Sequence, residues 1–71
     1  MNATEFRAAL ADIGWSQRAV AERLGVHDTR ARRWAIGQYK IPPDVAAWLS
    51  RLAAAHRANP APVAIQETVD D

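Results

Sequence analysis

Thr29, Arg32 and Arg33 lie within five consecutive positions of a 71-residue chain. Two guanidinium groups and a hydroxyl at that spacing are suited to reading polar edges. A guanidinium donates two hydrogen bonds side by side, and in the major groove of duplex DNA only guanine offers the matching O6 and N7 acceptors. Threonine can bond a base or a phosphate, and its methyl can touch that of thymine. Asp28 precedes them; a carboxylate near phosphates is unfavourable unless it caps a helix or accepts from cytosine N4. Around this group stand Arg18, His27, Arg30, Tyr39 and Lys40, whose natural target is the sugar-phosphate backbone. Such contacts set affinity and make it salt-sensitive.

These side chains can act together only if a helix turns them to one side. On a wheel of 100° per residue over about Asp28–Ile36, Asp28, Thr29, Arg32 and Arg33 fall on one face and Ala31 and Trp34 on the other. Ala31 permits a close crossing, and Trp34 brings apolar area to a core with few bulky groups. A preceding helix starts after Ser16, the best N-cap candidate in the chain, and buries Val20, Ala21 and Leu24. Gly25 ends it, so Gly25, Val26 and His27 form a turn of about three residues between two helices.

The flanking elements follow from the same signals. Phe6, Leu10 and Ile13 recur at helical spacing over about residues 4–13, with Thr4 as cap and Gly14 as terminator. Gly37 closes the third helix and Gln38 to Pro42 form a loop. Pro43 and Asp44 suit the first turn of a fourth helix reaching about Ala58, in which Val45, Trp48, Leu49 and Leu52 make the inward stripe that lies across the first three helices. Trp34 and Trp48 are core residues on this reading rather than platforms for stacked bases. Residues 1–58 thus form one domain, and residues 59–71, opening with Asn59, Pro60, Ala61 and Pro62, form either a disordered tail or a dimer arm.

Bulk composition narrows the function. The net charge of +1 hides a division along the chain: residues 15–40 hold six basic against two acidic side chains, net +4, whereas from Pro60 onward only Glu67, Asp70 and Asp71 are charged. There is no cysteine for a disulfide or thiolate site, and His27 and His56 lie far apart, so no metal or cofactor is expected. Neither a secretory leader nor a stretch able to span a bilayer is evident; we expect a cytoplasmic protein with no membrane partner. Ser16 has no base beside it, no carboxylate pair is apparent, and a helical chain this short leaves little room for a small-molecule substrate. An enzyme is not expected.

Ser16, Gln17, Ala21, Leu24, Gly25, Val26, Trp34 and Gly37 stand in the order and spacing of a known pattern, S/T-Q-x-x-x-A-x-x-L-G-V, a recognition helix, then W-x-x-G. By these residues the chain resembles the phage Cro and repressor-type (XRE-like) helix-turn-helix family over about residues 4–57. The resemblance implies an all-α, lambda-repressor-like domain of four or five helices. It implies a homodimer that binds an inverted-repeat operator in double-stranded DNA and represses transcription, as in a small autoregulator; short autoregulators of the anti-CRISPR-associated kind are one such class. It places Asp28, Thr29, Arg32 and Arg33 at base edges, and Gln17, with Ser16 beside it, at a phosphate where it braces the recognition helix. Ala35 and Ile36 depart from the family's usual glutamate and asparagine. The polar link at that helix end is therefore expected to be missing, with Ile36 packed against helix four. The rival reading is a protein-interaction module or antitoxin that uses helix four and the tail to hold a partner.

Overall fold

A computed structural model describes residues 1–62; the expected tail or dimer arm beyond Pro62 lies outside the described residues. The chain forms helices α1 (Ala3–Ile13), α2 (Gln17–Leu24), α3 (Asp28–Ala35) and α4 (Pro43–Ala58), with no strand among the described residues. The fold is all-helical, and a fifth helix does not occur within that range. Among the described residues no helix is long and apolar enough to cross a membrane.

Helix α1 begins earlier than its spacing suggested. Asn2, not Thr4, is the cap: its Oδ1 accepts from the Glu5 amide at 2.7 Å while Glu5 Oε1 accepts from the Asn2 amide at 2.9 Å. Two otherwise unpaired donors are thereby satisfied reciprocally. Ser16 caps α2 by accepting from the Ala19 amide at 3.0 Å. Pro43 opens α4, where its missing N–H removes nothing from the helix ladder.

The core is built from one stripe per helix. Phe6, Ala9, Leu10 and Ile13 of α1 meet Val20 and Ala21 of α2, Ala31, Trp34 and Ala35 of α3, and Leu49 and Ala53 of α4. Leu24, Val45, Trp48 and Leu52, expected inside, are only partly buried and pack around this centre. The reason is the path of α4. It does not lie across all three other helices but runs chiefly along α1, so the outer edge of its apolar stripe meets solvent. Trp48 fills that edge together with Trp15, their ring centroids 5.6 Å apart, and the Arg23 guanidinium lies 4.3 Å from the Trp15 ring.

The link from α2 to α3 depends on one backbone conformation. Gly25 has φ 69°, and the amides of Gly25 and Val26 return to the carbonyls of Glu22 and Ala21 at 3.3 and 3.0 Å. This closes α2 and reverses the chain within Gly25, Val26 and His27. A Cβ built on Gly25 meets no atom within 4 Å, so the cost of a side chain there comes from φ alone. Gly25→Ala should therefore lower unfolding free energy by about 1–2 kcal/mol in a urea titration, and Gly25→Asn by less, because asparagine tolerates this region. Equal losses for both variants would mean that crowding, not φ, sets the cost.

Candidate nucleic-acid interface

The rotational setting of α3 decides what it offers to solvent. Ala31 is fully buried and Trp34 is 3% exposed, its indole edge-on to Phe6 with centroids 5.9 Å apart and planes at 75°. A T-shaped pair of this kind adds about 0.5–1.5 kcal/mol beyond the area it buries. At the far end, Arg7 of α1 donates from Nη1 to the Ala35 carbonyl. A cation is thus held at the negative end of α3 by a helix that α3 packs against. The polar link thought absent because Ala35 and Ile36 lack suitable side chains is supplied by main chain instead.

With that side fixed inward, the opposite side carries the expected cluster. Gln17 and Arg18 from the first turn of α2 and Asp28, Thr29 and Arg32 from α3 line one open cleft of about 250 Å³. Arg32 and Asp28 are exposed, whereas Thr29 and Gln17 are half-buried. Two helix N-termini converge here, each with unpaired amides and a positive dipole end. Among the described residues only Arg57 of the arginines forms an ion pair, with Asp12, so Arg18, Arg30, Arg32 and Arg33 keep their charge unneutralised by protein carboxylates. A concave, cationic, donor-rich surface of this kind suits a phosphate-bearing polyanion.

Three positions differ from expectation. Asp28 does not cap α3; it is the first residue of the helix, and His27 is the cap. His27 Nδ1 accepts from the Thr29 amide at 3.2 Å and lies 3.0 Å from both Thr29 Oγ1 and Asp28 Oδ1. A nitrogen accepting an amide proton cannot also donate to a carboxylate, so the Thr29 amide contact and the Asp28 contact are alternatives set by the ring tautomer. The ring is 81% exposed, which leaves Nε2 turned to solvent. Arg33, second, does not line the cleft. Its Nη1 donates to Tyr39 Oη at 2.9 Å and its guanidinium lies 5.2 Å from the Tyr39 ring, tying α3 to the loop that follows. Ile36, third, does not pack on α4 and is 58% exposed. Ser16 Oγ is occupied as a cap acceptor but retains its own proton, while Arg18, Arg30, Tyr39 and Lys40 are exposed.

Sequence reasoning missed Arg7 and the pairing of Arg33 with Tyr39. The first had no signal, because its acceptor is a carbonyl. The second depends on the loop path, although a tyrosine six residues after an arginine across a helix-ending glycine was a hint.

A second, larger groove of about 450 Å³ runs between α1 and α4, lined by Ala8, Ala9, Ala46, Ala47, Ser50 and the Asp12–Arg57 pair. Its floor is mostly alanine, and Glu5, Ser50 and the Asp12–Arg57 pair make it polar at the edges, with the two charges of that pair already satisfying each other. Among the described residues no cluster of histidine and carboxylate groups could hold a metal ion.

The cap at the head of α3 is open to test. His27→Ala should destabilise the chain by about 1 kcal/mol in thermal or urea unfolding, and His27→Asn should restore or exceed the native value, since asparagine can accept from the same Thr29 amide. An alanine variant as stable as the parent would show that the Nδ1 contact contributes nothing. Comparison with family models, with curated proteins and with solved structures found no match for this chain.

Proposed function

We propose that this chain is a helix-turn-helix protein of the Cro and repressor type that binds double-stranded DNA in a sequence-specific manner, with α3 as the recognition helix in the major groove. The observation that carries this reading is the shared cleft: Gln17 and Arg18 beside Asp28, Thr29 and Arg32, on the side of α3 opposite the buried Trp34. Arg32 is the principal base reader, donating to guanine O6 and N7, with Thr29 and Asp28 beside it. Arg33, stacked on Tyr39, is a stiffened donor that reaches either a base edge or the backbone. Gln17, Arg18, His27 through Nε2, Arg30 and Lys40 hold phosphates, with Ser16 at the head of α2. Arg7, by holding the end of α3 to α1, positions the reader without touching DNA.

A single α3 spans too few base pairs for useful discrimination, so the active form is a homodimer on an inverted repeat, its recognition helices about 34 Å apart. Such a protein acts as a small repressor or autoregulator, in the cytoplasm of a prokaryotic or phage-infected cell. A second reading, a protein-interaction module or antitoxin, is favoured by the groove between α1 and α4, whose alanine floor would let another helix approach closely.

The test is duplex binding across a salt series. Affinity for a selected operator should fall with a log–log slope of about −0.9 per phosphate contacted. Arg32→Ala should weaken specific binding by about 1–3 kcal/mol and relax base preference at one position of each half-site, and Arg18→Ala should weaken all sequences alike. An Arg32→Ala, Arg33→Ala double variant that binds as tightly as the parent would reject this face as the reader.

A further inference from the structure

Among the described residues after α1, Ile36 is the one large aliphatic side chain that stands mostly in solvent, at 58% exposed. Its position is set by the helix that precedes it. The Ile36 amide donates to the Arg32 carbonyl at 3.1 Å, so the residue continues the helical register although α3 proper ends at Ala35. It therefore stands one turn beyond Arg32 and two turns beyond Thr29, on the same strip of surface. Its neighbours at this end are the Arg33–Tyr39 pair, with Tyr39 45% exposed.

Two occupants could cover such a side chain, the edge of a base pair or a second copy of the protein. Charge decides between them. From Thr29 to Pro43 the chain carries Arg30, Arg32, Arg33 and Lys40 and no carboxylate, so two copies meeting here would press like charges together. A stable protein interface also buries about 1,000 Å² or more, which one isoleucine and a tyrosine edge do not approach. A polyanion meets neither objection. Within the major groove the only apolar group on a base edge is the C5-methyl of thymine.

We propose that Ile36 is a specificity-determining residue that reads a thymine C5-methyl at the end of each half-site away from the base read by Thr29. This rests on the assignment of α3 to a major groove. It adds to the polar code of Arg32 an apolar contact one turn further along, and it accounts for an isoleucine kept in water on the surface that the cationic strip surrounds.

The experiment uses the full chain and a duplex selected from a random pool, with each thymine in turn replaced by deoxyuridine, which lacks only the C5-methyl. Binding is measured for the parent, Ile36→Val, Ile36→Ala and Arg32→Ala, with circular dichroism to show that the exposed substitutions leave the fold intact. At one thymine per half-site the parent should bind the deoxyuridine duplex about fourfold more weakly, the worth of one buried methyl-sized group. Ile36→Val should keep most of that difference and Ile36→Ala should lose it. The proposal is overturned by a selected half-site without thymine, by a parent indifferent to every replacement, or by Ile36→Ala retaining the full effect, which would assign the methyl contact to Thr29. It is equally overturned if Ile36→Ala lowers the oligomeric mass while the methyl response is unchanged. In each of these cases Arg32→Ala still weakens duplex binding. Failure of the DNA reading itself looks different, with no duplex enriched and no effect of Arg32→Ala.

Discussion

The contact between Phe6 and Trp34 sets the phase of α3, and with it everything the protein presents on that side. An eight-residue helix has little stability of its own, so its rotation about its axis must be imposed by what it buries. The indole supplies the largest buried area on α3 and packs edge-on to a fully buried phenyl ring. Ala31 below it lets α3 come close to its neighbours, and Arg7 fixes the far end through the Ala35 carbonyl. With those three points held, Thr29 and Arg32 have only the outward side left to them. The cationic cleft is a consequence of apolar packing on the opposite face.

The same economy governs how α2 meets α3. A left-handed glycine reverses the chain, and a histidine caps the next helix from within the turn. Both devices bring the N-termini of two short helices to one surface, where their dipoles and free amides add to the arginines. This gives a small chain, with a limited core, an electropositive concavity without any dedicated element to build it. Helix α4 contributes from the other side, running along α1 and closing the core with Leu49 and Ala53.

Much of this was legible in the residues because the signals were redundant. Ser16, Gly25 and Pro43 mark helix limits by capping or backbone chemistry that is local, and the turn between α2 and α3 needed no knowledge of the rest of the chain. The face of α3 was readable because Trp34 and Ala31 on one side and Arg32 on the other leave a single consistent rotation. Where structure and expectation part, two signals compete at one position. Thr4 has a capping side chain, but Asn2 and Glu5 have capping-box spacing, and the reciprocal pair wins. The apolar character of Ile36 argues for burial, yet the wheel that turns Thr29 and Arg32 outward turns position 36 outward as well, and helical phase outranks polarity. The buried alanines Ala9, Ala35 and Ala53 carry almost no pattern signal, and the destinations of Arg7 and Arg33 are tertiary facts that no local spacing contains.

The most direct test of the account is a backbone and indole NMR titration of the full chain with its selected duplex. The account predicts that amide shifts concentrate at Gln17, Arg18 and the run from Asp28 to Ile36, while the Trp34 indole resonance and the amides of Ala8, Ala46 and Ser50 along the α1–α4 groove hardly move. Large shifts along that groove with little change at Thr29 and Arg32 would contradict it, and would place the binding surface on the opposite pair of helices.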